Sequence, residues 1–301
     1  MTLSKKYINT IIKNFYEINS SNLQSTIKNV VFIDTSYFIF YRFHALINWF
    51  KLSHKDENIE DLDISNNKEF TEKFQEIVIE KIKEIPKKLD IHNEPFTICF
   101  GKDCPRSQIW RNEFHNNYKG NRKDNRDNYK NPAPFFKIFY ANKLYEKAFE
   151  KSQLLFNEKL EADDCIALSV KKIQEIYKNI NIHIITSDND YLQLINNDKI
   201  HILNLQFKNI RNEKNSFFNN KKDLLSKIII GDKSDNIMPI FKKCGKKTVE
   251  KYINNVELFE KQLEKENVVE KFENNRLLID FEKIPENLKK EFYEKYSFIF
   301  T

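Results

Sequence analysis

The stretch KLEADDCIALSVKKIQEIYKNINIHIITSDNDYLQL, residues 159 to 194, decides the fold class of this chain. Its apolar residues recur at helical spacing from Ala167 to Tyr177, which predicts an amphipathic helix. The short β-branched run at 182–185 then predicts a buried strand. A strand of this kind is typical of open α/β sheets, which bind ligands at the carboxyl ends of their strands.

Five carboxylates flank this helix and strand. Glu161, Asp163 and Asp164 come at the start of the helix, and Asp188 and Asp190 follow the strand. Carboxylates held close together repel one another and take up protons unless a cation lies among them. Oxygen ligands without His or Cys suit Mg²⁺ or Mn²⁺. Taken singly, Glu161 and Asp163 are equally well explained as first-turn acids favoured by the helix dipole, so the metal-site prediction depends on the whole set.

Two other predicted strands also lead into acids. The apolar run at 30–33 ends at Asp34, and the run at 95–100 is followed by Asp103. The aromatic sequence after Asp34 predicts a largely buried helix, and Arg42 is a charged residue within this apolar run. Arg42 either keeps its charge at the surface or contacts a phosphate.

The segment from 102 to 130 combines bases with aromatic side chains. It holds eight Lys or Arg residues against four acids, with Trp110, Tyr118 and Tyr129 interleaved. Bases neutralise phosphates and aromatic rings offer stacking surfaces, so this pattern is typical of single-strand nucleic-acid binding, although solvated loops also show it. Residues 135–156 then predict one aromatic-rich helix.

A polar connector at 209–220 marks a predicted domain boundary, and a helix-turn-helix pattern follows it. The first helix is predicted to end near Gly231, a loop holds Asp232 and Asp235, and the second helix begins near Gly245. Units of this kind dock on the DNA backbone through helix N-termini and nearby lysines. The lysines available here are Lys242, Lys243, Lys246, Lys247 and Lys251.

Composition favours a globular, intracellular protein. The chain of 301 residues is 40% hydrophobic and carries a net charge of +6, with its acids and bases segregated. Such segregation fits a polyanionic substrate handled at a metal site. The cysteines show no CxxC pair and no zinc spacing, which favours a reducing compartment. No apolar run reaches membrane-spanning length, and the N-terminus lacks the apolar core of a signal peptide.

Taken in their order along the chain, these motifs resemble the 5′ nucleases: the flap endonucleases, the phage 5′-exonucleases and the 5′-nuclease domains of bacterial DNA polymerases. The resemblance runs from about residue 30 to residue 253. Its elements are Asp34 in FIDTS, Asp103 with the pair Trp110 and Arg111, the YKxxR element (Tyr118, Lys119, Arg122), the EADD cluster (Glu161, Asp163, Asp164), the SDxD element (Asp188, Asp190) and the GDxSDN element (Gly231, Asp232, Ser234, Asp235, Asn236).

The chain departs from the family pattern at two places. Family members often have the acid of the second strand directly after the aromatic residue. This chain has Gly101 at that position, and the first acid after the strand is Asp103. The Gly-rich turn of the helical hairpin is reduced to FKKCGKKT, in which Gly245 remains. The resemblance would place a K⁺ site on that hairpin backbone, and the altered turn does not support it.

The resemblance implies an α/β fold: a PIN-like (resolvase-like) nuclease domain with a parallel sheet, a helical arch over the site and a C-terminal helix-three-turn-helix module that grips duplex DNA. In these terms the chain divides into a helical extension at 1–28, a nuclease domain at 29–215 with the arch at about 112–157, and a DNA-binding region at 216–301.

The activity implied is metal-dependent, structure-specific hydrolysis of DNA phosphodiesters in replication or repair, as a 5′-3′ exonuclease, a flap endonuclease or both. Two Mg²⁺ ions, with Mn²⁺ as a substitute, would be held by Asp34, Asp103, Glu161, Asp163, Asp164, Asp188, Asp190 and Asp235, and individual assignments stay open. Asp232 would orient a metal-bound water. Lys119 and Arg122, three apart on a helix, would meet the scissile phosphate, and Tyr118 would stack on an unpaired base. The residues expected to contact DNA are Arg42, Arg111, Lys242, Lys243, Gly245, Lys246, Lys247 and Thr248.

The expected partner is DNA with a 5′ flap, a nick or a single-strand/duplex junction. We expect a monomer without membrane contact, located in the cytoplasm or nucleus where DNA is replicated, and a viral origin stays open. The C-terminus shows no sliding-clamp motif. Two alternatives remain: a 5′-exonuclease or RNase H-like enzyme that acts on RNA through the same metal site, and an inactive protein that binds DNA structures.

Overall fold

The computed structural model describes residues 27–55, 59, 62–121, 131–211, 216–242 and 244–297. Five short strands form one parallel sheet in the order β3-β2-β1-β4-β5. The strands are β1 Asn29–Asp34, β2 Phe96–Gly101, β3 Gln153–Leu155, β4 Asn181–Ile185 and β5 Ile200–Leu203. The predicted parallel α/β sheet is therefore confirmed.

Helices cover both faces of the sheet, as parallel sheets require. Val30 and Phe32 of β1 face one core, and Val31 and Ile33 face the other. The α-helices are α1 Thr35–Ser53, α2 Lys68–Lys88, α3 Ala133–Ala141, α4 Leu144–Ala148, α5 Ala162–Ile176, α6 Asn220–Ile230, α7 Lys246–Asn254, α8 Val256–Lys265, α9 Val269–Ile279 and α10 Glu286–Lys295. Helices α1 to α4 pack on the face of Val31, and α5 and α10 pack on the face of Val30.

The single helix predicted over 135–156 is wrong. The chain forms α3, turns at Lys143 in the left-handed region (φ 49°), forms α4 and then adds β3 to the sheet. β3 pairs with β2 in the register of Gln153 with Cys99. Phe135, Phe139 and Leu144 are buried in the sheet core, so this part of the predicted arch belongs to the body of the domain. Residues 122–130 lie outside the described residues.

Helices α6 to α9 build a separate small core. The predicted helix-turn-helix is confirmed, because α6 ends at Ile230 and α7 begins at Lys246. Gly231 ends α6 with φ 73°, and a Cβ there would lie 2.5 Å from the carbonyl oxygen of Ile237, so only glycine fits this turn.

After α9 the chain returns to the sheet. Phe281 and Ile284 are buried, and Leu288 and Phe292 of α10 pack into the core that β1 and α5 share. The predicted region 216–301 is therefore divided between two cores. Most of the predicted extension at 1–28 lies outside the described residues, and Ile27 packs against the sheet core. Among the helices of the described ranges, none has the length and apolar character needed to span a membrane.

Candidate active site

The acidic residues meet at the carboxyl end of the sheet, where β1 and β4 lie side by side. β1 ends at Asp34, whose carboxylate accepts the Tyr37 backbone N–H at 3.1 Å and so begins α1. Thr186, directly after β4, donates its hydroxyl to Asp34 at 3.1 Å and accepts the Asp188 N–H at 3.1 Å. The strand order reverses between β1 and β4, which is the position where open α/β sheets bind ligands. Sequence reasoning missed Thr186, which connects the acids of two strands.

Asp103 reaches the start of α5 despite its shifted position in the sequence. Its carboxylate accepts the backbone N–H of Ala162 at 2.8 Å and the hydroxyl of Ser36. An anion at a helix N-terminus is stabilised by the unpaired N–H groups and the helix dipole. The structure thus brings Asp103 to Glu161 and Asp163 at the first turn of α5.

Arg111 holds the EADD cluster from inside the protein. Its guanidinium donates to both oxygens of Asp164 at 2.8 and 2.7 Å and to Glu161 at 2.9 Å, and Trp110 Nε1 donates to Asp164 at 3.0 Å. Burial lowers the pKa of Arg111, but the charges of Asp164 and Glu161 and the hydrogen bond to Asp164 together outweigh burial and raise the pKa above its ordinary value. Arg111 is only 2% exposed, which does not fit the contact with DNA predicted for it. Breaking such a buried, bidentate pair costs about 3–5 kcal/mol.

Lys119 places its ammonium group among the carboxylates. Its Nζ contacts Glu161 Oε1 and lies 3.6 Å from Asp235 Oδ2. Its backbone N–H donates to the Asp235 carbonyl at 3.0 Å, which docks this segment on the loop after α6. Lys119 has φ 55°, and residues 119–121 form a turn. The helical face predicted for Lys119 and Arg122 is therefore wrong at Lys119, and Arg122 lies outside the described residues.

Tyr118 is buried beside Lys119 instead of being open to a base. Its hydroxyl lies 3.0 Å from Glu161 Oε2 and 3.0 Å from Asp235 Oδ2, so it can donate to either carboxylate. Its ring belongs to the core of α6 to α9 and is 6% exposed. In this arrangement Tyr118 joins the two acidic elements, which differs from the predicted stacking on a base.

Lys227, on the last turn of α6, was missed by sequence reasoning. Its Nζ lies 2.7 Å from Asp190 Oδ1 and 2.6 Å from Asp232 Oδ2. Burial opposes ionisation of Asp232, but the charge of Lys227 and the hydrogen bonds from Lys227 and Ser234 together outweigh it and lower the pKa of Asp232 to about 2. The signal in the sequence was a lysine one helical turn before the GDxSDN motif.

Other carboxylates have raised pKa values. Burial, followed by repulsion from Asp103, raises the pKa of Asp34 to about 6. Burial and then the neighbouring Asp188 raise the pKa of Asp190 to about 7. Burial, Asp164 and Glu161 raise the pKa of Asp163 well above its ordinary value. These acids would become fully ionised if more positive charge entered the site.

The donor atoms fit hard divalent cations. Within the described ranges, two sets of three carboxylates place oxygens within 4.8 Å of one another, and we call them the first group (Glu161, Asp163, Asp164) and the second group (Asp190, Asp232, Asp235). Asp34 and Asp103 interact electrostatically, as do Asp188 and Asp235, so these acids connect the groups. Oxygen-only sets of this kind suit Mg²⁺, Mn²⁺ or Ca²⁺.

The predicted DNA contacts divide by location. Lys242, Lys246 and Lys247 are exposed near the start of α7, with Gly245 as its N-cap and Thr248 in its first turn, while Lys243 lies outside the described residues. Arg42 lies beside the rings of Phe38 and Tyr41 at 5.4 and 5.2 Å. The lysines of α7 thus form a basic helix N-terminus suited to phosphate.

Comparison with known proteins identifies one family. The family model described as "5′-3′ exonuclease, N-terminal resolvase-like domain" matches residues 29–227. No curated protein sequence matches the chain.

Solved structures share the fold at low sequence identity. A bacteriophage T5 protein co-crystallised with metal ions is 17% identical, with a TM-score of 0.62, and the match covers 91% of this chain and 100% of that one. A variant of the T5 flap endonuclease in complex with DNA and metal ions is 17% identical, with a TM-score of 0.59 and coverage of 91% and 99%. The T5 5′-exonuclease with bound zinc is 18% identical, with a TM-score of 0.57 and coverage of 91% and 100%.

Proposed function

This chain belongs to the 5′-3′ exonuclease family and is a metal-dependent nuclease of that family, and we propose that it cuts DNA at 5′ flaps, nicks and single-strand/duplex junctions. One observation carries the proposal: Lys119 and Lys227 each place an ammonium group between carboxylates at the carboxyl end of the sheet. The site therefore accepts cations at two places. A phosphodiester bound there would meet both positive charge and a set of metal ligands.

We propose two Mg²⁺ ions, replaceable by Mn²⁺, as the cofactors. When bound, they would supply a water of lowered pKa and stabilise the leaving oxygen. Residues around the first group would hold one ion, namely Asp34, Asp103, Glu161 and Asp163. Residues around the second group would hold the other, namely Asp188, Asp190 and Asp235. Asp164, whose two oxygens already accept from Arg111 and Trp110, keeps the first group in place.

Lys119 is the residue best placed to act on the substrate. Its ammonium neutralises Glu161 and Asp235 in the metal-free protein. If these carboxylates held divalent ions, Lys119 would turn its ammonium toward the scissile phosphate and offset the negative charge that develops there. Lys227 neutralises Asp190 and Asp232 in the same way, and Asp232 stays ionised to accept a hydrogen bond from a bound water.

The helical region supplies the contact with duplex DNA. Lys242, Lys246 and Lys247 lie near the N-terminus of α7, and the positive end of a helix dipole favours a bound phosphate. Such contacts depend on phosphate and not on base sequence, so recognition follows the structure of the DNA. We propose that one chain suffices for cleavage. The T5 flap endonuclease, which shares this fold, has been crystallised with DNA.

Cleavage of a 5′-labelled flap duplex in Mg²⁺ tests the proposal. The wild type is compared with Asp188→Asn and with the control Asp198→Asn, whose carboxylate is exposed beside β5 at the opposite end of the sheet. We expect cutting near the junction by the wild type and the control, and its loss in Asp188→Asn. Cutting of a matched RNA flap alone would show an RNA-directed nuclease. Binding without cutting in either metal would show a DNA-structure binder and overturn the proposal.

A further inference from the structure

Gln193 connects the turn of Asp190 to the end of α9. It lies on the 3₁₀ helix Asn189–Leu194, which follows Asp188. Its side-chain N–H₂ donates to the Asp190 carbonyl at 2.9 Å and to the Ile279 carbonyl at 3.1 Å. Its side-chain oxygen accepts the backbone N–H of Phe281 at 3.0 Å. The carboxamide thus uses both its donor and its acceptor to hold two parts of the chain together.

Arg111 makes a second connection to the same segment. While its terminal nitrogens hold Asp164 and Glu161, its Nε donates to the Leu278 carbonyl at 2.7 Å. The carbonyls of residues 278 and 279 belong to the last turn of α9, where carbonyls have no partner within the helix. Two successive carbonyls of α9 therefore accept hydrogen bonds. One comes from Arg111, which holds Glu161 and Asp164, and the other comes from Gln193, which holds the turn of Asp190.

Asn275 makes a third connection, one turn earlier on α9. Its side-chain N–H₂ donates to the Ile228 carbonyl at 3.0 Å and to the Met238 carbonyl at 2.9 Å. These carbonyls lie on either side of the loop that carries Asp232 and Asp235. Asn275 is buried, with 5% exposure, so the contact is made inside the protein.

We propose that the segment from Asn275 to Phe281 is a brace that sets the spacing of the first and second groups, and that Gln193 is the positioning residue that connects it to Asp190. The inference rests on the proposed function in one respect, namely that these groups hold divalent ions. Each acidic element has its own hydrogen bond to the brace: Arg111 for the first group, Gln193 for Asp190 and Asn275 for the loop of Asp232. A common support of this kind would hold the two groups of carboxylates at a fixed separation, although the hydrogen bonds of the brace do not reach the carboxylates themselves.

Mn²⁺ binding without DNA tests the brace. In Gln193→Leu all three hydrogen bonds are lost, and in Gln193→Glu the acceptor remains but the two donors are lost. The control is Gln174→Leu on α5, because Gln174 and Asn196 form an exposed amide pair remote from the acids. We expect calorimetry to show Mn²⁺ affinity at least about 10-fold weaker in both Gln193 variants, the usual scale for partners of metal ligands, and unchanged in the control.

Cleavage kinetics provide the second readout. We expect the Mg²⁺ concentration for half-maximal cleavage to rise about 10-fold, with the KM for flap DNA unchanged and kcat restored at saturating Mg²⁺. Mn²⁺ affinity within twofold of wild type in either folded variant would overturn the brace. If Gln193→Leu fails to fold, Gln193→Glu decides. A wild type that binds Mn²⁺ but cuts neither DNA nor RNA would overturn the proposed function, while the affinity comparison would still decide the brace.

Discussion

The two ends of the parallel sheet bury polar groups in opposite ways. At the carboxyl end, Asp34 and Asp188 share Thr186 and lie among other carboxylates. At the amino end, the side chain of Asn29 donates to Glu94 at 2.7 Å and accepts from Asn181 at 3.3 Å. The first end concentrates like charges, and the second is built mainly from neutral amides and imidazoles.

The amino end also includes a stacked pair of histidines. The rings of His183 and His201 lie 5.2 Å apart on neighbouring strands. Burial, with His201 close by, lowers the pKa of His183 to about 4, so the pair is neutral at pH 7. Neutral groups are stable there without an added ligand, whereas the carboxylates at the other end require cations. This difference explains why only one end of the sheet is suited to phosphate chemistry.

The largest effect is expected when a carboxylate at the carboxyl end of the sheet is removed. We expect Glu161→Gln to lower flap cleavage at least about 100-fold, because the first group loses a charged ligand and Lys119 loses its partner. The matched control is Glu94→Gln, which changes the same residue type at the amino end. Initial rates in Mg²⁺ measure both variants. Equal effects would show that the two ends do not differ in function.

The next effect concerns the lysines that pair with these glutamates. We expect Lys119→Ala to slow single-turnover cleavage by up to about 100-fold, since a charge next to the scissile phosphate is lost. Lys28→Ala is the control, because Lys28 lies 3.6 Å from Glu94 at the amino end and is exposed. Flap affinity is measured in parallel in Ca²⁺. A wild-type cleavage rate combined with weaker flap binding would restrict Lys119 to binding.

A smaller effect is expected on stability at Lys227. Lys227→Met removes the partner of Asp190 and Asp232, and we expect a loss of about 1–3 kcal/mol in the metal-free protein at pH 7, because hydrogen bonds to these carboxylates are lost. The lowered pKa of Asp232 stabilises the fold above about pH 4, and this contribution disappears as the pH falls through about 2. The difference between variant and wild type should therefore shrink in acid.

Thermal melting in EDTA and in Mg²⁺ checks this prediction. Mg²⁺ should recover part of the loss in Lys227→Met, because a divalent ion can replace the ammonium between the carboxylates. An equal loss of stability with and without Mg²⁺ would contradict the role of Lys227 as a partner of metal ligands.

The smallest effect on cleavage is expected at His183, which lies toward the amino end of the sheet. Its lowered pKa stabilises the folded state above about pH 6.5, and this contribution is lost as the pH falls through about 4. The loss amounts to about 3 kcal/mol when complete. We expect His183→Gln to reduce the acid-dependent loss of stability and to leave cleavage unchanged. Urea unfolding at pH 7, 5.5 and 4.5 measures the free energy of unfolding, and a flap assay measures the cleavage rate.

Local patterns predicted the strands that carry the site. β1, β2 and β4 are apolar runs bounded by polar residues, and the three predicted runs lead into Asp34, Asp103 and Asp188. β3 was missed because three residues show no alternation, and its extended form depends on pairing with β2. The turn at Lys119 was missed as well, since its left-handed backbone is stabilised by contact with Asp235, which lies far away in the sequence.

The sequence by itself determined that acids gather at the carboxyl end of a parallel sheet, because hydrophobic period and the position of a residue after a strand are local properties. Only the tertiary structure decided how those acids are neutralised. Arg111 reaches Leu278 across 167 positions, and Gln193 reaches Phe281 across 88. Lys227 joins Asp190 only when α6 packs against the 3₁₀ helix. These contacts depend on how the helical module packs against the sheet, which no short stretch of sequence encodes.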